Sequence, residues 1–286
     1  MSVVGVAGAG FMGSGIAQAV SAAGRQVVLY EPTQPPLERS RAALRESLER
    51  SVARGKVEEA QAAATLERID YTTDLDDLAG AGVLIEAVVE DRAVKRELFS
   101  RLDAAAPDAA FLASNTSSIP IGELAAATTR PQRVLGLHFF SPVPVMKLVE
   151  IVVALETAPE TIAAAEAFAQ EIGKQAIRAK DRAGFVVNML LVPYLISAVR
   201  MYEQGFAAPE DIDAGMTLGC GHPMGPLTLC DFIGLDVIAA ICDSLYEEFR
   251  QPEYAQPPLL ARMVSAGQLG RKSGRGFYDY DPPGPP

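Results

Sequence analysis

Along the first half of the chain the hydrophobic pattern keeps changing period. The β-branched runs Val3–Ala7 and Gln26–Tyr30 enclose a helical pattern over Met12–Ala23, and a second helical stretch runs from about Pro36 to Arg68. Strand, helix, strand predicts a βαβ unit. The alternation continues through Val83–Val88, the helix-like Arg92–Ala106, Ala110–Ser114, Val134–Phe139, Leu148–Val153, the helix Glu160–Ile172 and Gln175–Ala179. Such a pattern predicts a mostly parallel sheet covered by helices. The stretch Leu44–Arg68 is long for a simple crossover, which predicts a projecting helical hairpin turning at Gly55. Beyond Asp181-Arg-Ala-Gly184 the strand signals fade. Asn188–Gln204, Pro209–Leu218, Pro226–Ile233, Leu235–Arg250 and Pro258–Ala266 read as helices punctuated by Gly and Pro. The expected organisation is an α/β domain over 1–183 followed by an all-α domain over 184–286. The last residues, Asp281–Pro286, are expected to lack structure because proline removes donors.

Composition narrows the possible partners. Of 286 residues, 49% are hydrophobic and 21% charged, a globular balance rather than a disordered one. The net charge of −11 gives no general field for nucleic acid or anionic lipid. An anionic cofactor must therefore be held by local backbone donors and helix N-termini. Cys220, Cys230 and Cys242 lack zinc or redox spacing and read as reduced thiols, and no metal site is expected. The run Val3–Ala7 is broken by glycine and has no basic leader, so neither a signal peptide nor a membrane span is expected, and the cytoplasm is the expected address.

Gly8-Ala-Gly10-Phe11-Met12-Gly13 follows an apolar strand and opens a helix. In that context the first glycine permits the tight turn, the second lets backbone approach a pyrophosphate, and the third lets helix and strand pack. Glu31 ends the second strand, 18 residues after Gly13, where a carboxylate accepts from ribose hydroxyls and repels a 2′-phosphate. NAD is therefore expected rather than NADP, although Arg39 and Arg41 lie nearby, and a surface glutamate opening a turn is the plainer alternative.

Three more motifs carry chemistry. Ser114-Asn-Thr-Ser-Ser118 follows a strand, Leu137-His-Phe-Phe140 ends another, and Met146-Lys-Leu-Val-Glu150 places a carboxylate in an apolar run. Oxidising a secondary alcohol needs a base for the hydroxyl proton as hydride departs, and histidine titrates near neutrality. His138 is the candidate base. Glu150, twelve positions on, is the candidate carboxylate that fixes its tautomer. Ser117 and Asn188 are neutral donors suited to a substrate oxygen. Each has a plainer alternative: a core histidine for His138, an edge-strand charge for Glu150, and helix N-caps for Ser117 and Asn188.

Together with Gly184-Phe-Val-Val-Asn188, Gly221-His-Pro-Met-Gly-Pro226 and Gly270-Arg-Lys-Ser-Gly-Arg-Gly-Phe-Tyr278, these motifs resemble the L-3-hydroxyacyl-CoA dehydrogenase family, most closely its bacterial 3-hydroxybutyryl-CoA members, along essentially the whole chain. The resemblance implies a Rossmann-type NAD domain, a helical dimerising domain, and a His138–Glu150 pair with Ser117 and Asn188 aiding the thioester. It also implies Glu90 and Lys95 near the cofactor, Asn115 near the nicotinamide end, and Lys56 in the region that meets coenzyme A. The chain departs from many members at Ser141, where Asn is usual, at Ala183, where Pro is usual, and at Glu31, where Asp is usual.

Other readings remain open on the sequence. One has the hydroxyacyl group carried by an acyl carrier protein, which shares the pantetheine arm. A β-hydroxyacid dehydrogenase would want a lysine in the helix from Asn188, which carries none, and a non-catalytic descendant would have no use for Ser117, His138, Glu150 and Asn188 together. His222 reads as structural, since glycines and prolines surround it. A homodimer through the helical half is expected because Met189–Ala198 and Leu235–Ile241 look too apolar for five helices to bury.

Overall fold

β1 (Val3–Ala7), α1 (Phe11–Ala22) and β2 (Val27–Tyr30) form the first crossover unit, with a parallel ladder from Val4↔Val27 to Ala7↔Tyr30. The structure is a computed structural model that describes residues 3–280; Asp281–Pro286, expected to lack structure, lie outside the described residues. Two units part between Arg182 and Ala183.

The first unit continues with α2 (Gln34–Ala53), α3 (Glu59–Glu67), β3 (Ile69–Thr72), β4 (Ala81–Glu86), α4 (Arg92–Ala105), β5 (Phe111–Ser114), α5 (Ile121–Ala125), β6 (Val134–Phe139), β7 (Leu148–Val153), α6 (Pro159–Glu171) and β8 (Gln175–Lys180). One eight-stranded sheet results, in the order β3-β2-β1-β4-β5-β6-β7-β8. All its pairs are parallel except β6 with β7. Central strands read as unbroken apolar runs because both faces are covered: Val4, Val6, Ile85, Phe111, Leu135 and Ile151 are all buried in one core.

Three expectations need correction. β3 was not foreseen, because an edge strand of four residues that buries only Ile69 fully carries too little apolar signal. β4 stops at Glu86 rather than Val88, since the Glu86 carboxylate takes the Val88 N–H at 2.7 Å and draws it out of the ladder. The α2–α3 hairpin does not stand free along its length. Leu37, Leu44 and Leu48 on one face of α2 are buried, and Ser40 Oγ meets Ser14 Oγ of α1 at 2.7 Å. Its turn, Arg54-Gly55-Lys56, is exposed, with Gly55 at φ +65°.

The second unit is helical: α7 (Val187–Glu203), α8 (Pro209–Cys220), α9 (Pro226–Ile233), α10 (Leu235–Phe249) and α11 (Pro258–Ser265). Their core includes Leu195, Ile196, Leu227, Leu235, Ile238 and Leu245. In the two stretches thought too apolar for five helices, the residues that face this shared core, such as Val192, Leu195, Ile238 and Ile241, are buried, whereas the large hydrophobics Leu190 and Val237 are exposed. Two buried aspartates close the unit. Asp213 accepts from Leu227 N, Thr228 N and Tyr278 Oη, capping α9, and Asp231 accepts from Phe277 N, Tyr278 N and Tyr280 Oη.

Candidate active site

Sheet register brings the predicted motifs of the first unit to one edge. Tyr30, Ala7, Glu86, Ser114 and Gly136 pair successively across five strands. The glycine turn, the acidic end of β2, the Ser114–Ser118 loop and His138 all follow that row, at the carboxyl edge where open α/β sheets bind ligands.

At the glycine turn, Gly8 adopts φ +111°, which an L side chain would strain. A Cβ on Gly13 would meet the Gly8 carbonyl oxygen at 1.8 Å, so the third glycine is required by packing. A Cβ on Gly10 would meet nothing within 4 Å. No contact within the protein demands glycine there, and the bare strip of backbone suits a close-lying ligand. α1 begins at Phe11 with no capping side chain and no acidic residue in its first turn, leaving orphan N–H groups for an anion. Glu31 Oε2 accepts from Ala9 N at 3.1 Å, which holds the carboxylate beside the turn. Phe11 is exposed and Met12 half-buried on the first turn of the helix. These residues fit a dinucleotide pyrophosphate and ribose.

His138 and Glu150 face each other as a registered pair of the antiparallel β6–β7 ladder. Nδ1 of His138 lies 2.7 Å from Glu150 Oε2, and Glu150 has no exposed surface. β7 is paired on both sides, so Glu150 is no edge-strand charge. Lys174 holds the intervening turn through the Val143 and Met146 carbonyls, and burial lowers the pKa of its ammonium. Asn115 Oδ1 accepts from Phe139 N at 2.9 Å, tying the Ser114–Ser118 loop to the residue after His138.

That loop rests on a network of charges. Glu86 accepts from Lys95 Nζ and Ser114 Oγ, both at 2.6 Å. Lys95 also reaches Glu90 Oε2 at 3.1 Å, and Glu90 Oε1 accepts from Thr116 Oγ1, Ser118 Oγ and Ser117 N. Burial pushes the Glu90 carboxyl up, but Lys95 and the Thr116 and Ser118 hydroxyls outweigh it and hold the group below its ordinary range. Lys95 is 1% exposed, so any influence on a ligand passes through its carboxylate partners. Sequence reasoning missed Glu86; the signal was an acidic residue ending an otherwise apolar strand, nine positions before a lysine. It also missed Asp181, which receives Ile121 N and Gly122 N at the start of α5.

Ser117 is half-buried and caps no helix, since α5 begins beyond Pro120. Asn188 belongs to the second unit, where it is the second residue of α7 rather than its N-cap. Lys56 is exposed at the hairpin turn. His222 is exposed and meets Tyr194 Oη at 3.2 Å through Nδ1, with a phenol rather than a carboxylate for partner. The three cysteines are unbridged, and burial pushes the Cys242 thiol up to about 12. Among the described residues, no group of three His, Cys, Asp or Glu is placed to hold a metal, and no helix is long and apolar enough to cross a membrane.

Comparison with known proteins gives this geometry a lineage. Residues 3–182 match the NAD-binding domain model of 3-hydroxyacyl-CoA dehydrogenase, and residues 184–280 match the C-terminal domain model of the same family. A 3-hydroxybutyryl-CoA dehydrogenase of Mycobacterium tuberculosis is 56% identical over 279 residues, covering 97% of this chain and 98% of that protein. The crystal structure of M. tuberculosis FadB2 superposes with a TM-score of 0.95 at 56% identity, over 97% of this chain and 98% of the other. That of (S)-3-hydroxybutyryl-CoA dehydrogenase from Ralstonia eutropha gives 0.93 at 44% identity, over 98% and 99%. A dinucleotide cradle and a His–Glu pair on one sheet edge, together with full-length matches of this kind, mean that the chain belongs to the 3-hydroxyacyl-CoA dehydrogenase family.

Proposed function

We propose that this protein interconverts a short-chain 3-hydroxyacyl-CoA and its 3-ketoacyl-CoA, with 3-hydroxybutyryl-CoA and acetoacetyl-CoA as the pair it serves. The observation that carries the reading is the 2.7 Å contact between His138 Nδ1 and the fully buried Glu150. With the carboxylate accepting from Nδ1–H, the proton-accepting lone pair lies on Nε2. In oxidation Nε2 takes the 3-hydroxyl proton as the C3 hydride leaves, and Glu150 stabilises the imidazolium that forms; in reduction the same proton returns to the oxygen. NAD, when bound, supplies the hydride acceptor. Gly8, Gly10, Phe11, Met12 and Gly13 hold its pyrophosphate by backbone, Glu31 its ribose, and Glu90, Lys95 and Asn115 shape the cofactor end of the site.

Ser117 donates to the substrate oxygen, a role supported by its place beside Glu90 on the loop tied to β6. For Asn188 and for Lys56 toward coenzyme A, support comes from motif position alone. The short chain rests on the named relatives. A homodimer through the helical unit is supported by exposed Leu190, Phe206, Leu218 and Phe232. Three free cysteines suit a reducing cytoplasm. A chain-length series of 3-ketoacyl-CoA substrates with NADH and NADPH in parallel tests the reading: fastest turnover is expected with acetoacetyl-CoA and NADH, and no turnover with any member of the series would overturn it.

A further inference from the structure

We propose that Glu86, acting with Lys95, is a positioning residue that sets the placement of Ser117 for the reaction, an inference that rests on the reading of Ser117 given above. Glu86 ends β4 with no exposed surface, and its oxygens divide their work. Oε1 accepts from Lys95 Nζ at 2.6 Å and from Val88 N at 2.7 Å, while Oε2 accepts from Ser114 Oγ at 2.6 Å. Ser114 Oγ in turn accepts from Thr116 N at 3.1 Å. Lys95 carries the connection to Glu90 at 3.1 Å, whose other oxygen gathers the Thr116 and Ser118 hydroxyls and the Ser117 N–H at 3.3 Å. The hydroxyls of Ser114, Thr116 and Ser118 are all committed to this carboxylate–ammonium–carboxylate chain. Among the described hydrogen bonds, the Ser117 hydroxyl alone in that loop takes no part.

A buried ion pair is a poor device for stability, because apolar side chains of equal volume usually serve as well or better. What an apolar pair lacks is direction. Two carboxylates joined by one ammonium fix three hydroxyls and two loop N–H groups at once, and they do so at the sheet edge rather than in the middle of the core. The arrangement orients the one loop hydroxyl left over.

A double-mutant cycle on the full-length protein, reading kcat for acetoacetyl-CoA at saturating NADH, separates positioning from mere stability. Glu86→Gln is expected to lower kcat by about tenfold or more. In a Ser117→Ala background the same substitution is expected to lower it by less than about threefold, since the hydroxyl it positions is gone. Equal losses in both backgrounds would overturn the proposal. Ser114→Ala, which removes one donor to Oε2, takes the place of Glu86→Gln in the cycle if that variant does not fold. Absence of turnover in the unmutated protein would defeat the reading of the function; additivity in an active protein defeats this inference alone.

Discussion

Two glycines, one in each of two glycine-bearing segments, behave in opposite ways. In Gly8–Gly13 a Cβ added at Gly10 would meet no atom, whereas in Gly270–Tyr278 a Cβ added at Gly276 would meet Asp231 Oδ1 at 1.9 Å. Gly276, like Gly13, is needed because the protein itself fills the space; at Gly10 no atom of the protein lies within 4 Å of where a Cβ would be. Buried carboxylates divide similarly. Asp213 and Asp231 close the helical unit on itself by capping α9 and holding the 277–280 segment. Glu150 and Glu86 instead orient a histidine and a loop at the sheet edge. A buried acid thus does different work at the sheet edge, where it orients groups that face a ligand, from the work it does inside the helical unit.

The largest effect expected from breaking this contrast is chemical. Glu150→Gln should lower kcat by about 10²–10⁴-fold, because the imidazolium loses its counter-charge, with steady-state turnover as the check. Next come the glycines. Gly10→Ala should weaken NADH binding by about tenfold or more in a fluorescence titration, with stability unchanged within about 0.5 kcal/mol. Gly276→Ala should do the reverse, costing about 1–3 kcal/mol in denaturant melts as the Asp231 carboxylate is displaced from Phe277 N and Tyr278 N. A Gly10→Ala protein that melts early and binds NADH normally would erase the distinction.

The smallest effect is a pH dependence of opposite sign in the two regions. Glu90 is held below its ordinary range, so its contribution is present above the unfolded value of 4.5 and is lost as pH falls through the lowered folded value. Asp231 is pushed up by burial despite the Phe277 and Tyr278 N–H groups and the Tyr280 hydroxyl, so its contribution is present below 3.8 and is lost as pH rises through the raised folded value. As pH falls through the raised Asp231 value, residues 276–280 should gain protection from amide exchange, relative to intrinsic rates, and as it falls further through the lowered Glu90 value, 114–118 should lose it. Parallel changes in both segments would contradict the signs.

Much of this was legible in the sequence because period and motif coincide. Leu148–Val153 and Pro226–Ile233 have the bounds their patterns predict, and the spacing of His138 and Glu150 matches a turn between adjacent antiparallel strands. What escaped was non-local. β3 becomes a strand because β2 offers a parallel edge, not because Ile-Asp-Tyr-Thr insists on it. Glu86 reads as a polar interruption until the lysine of α4 and the serine ending β5 arrive beside it. The glycines of the C-terminal motif announce a turn, but their partner Asp231 lies far back in the chain.

The most direct trial of the account is His138→Ala, assayed for acetoacetyl-CoA reduction beside an NADH titration of the same preparation. Turnover should fall by about 10²–10⁴-fold while the NADH dissociation constant stays within about threefold of the parent. Parent-like turnover in that variant would contradict the assignment of proton transfer to this histidine.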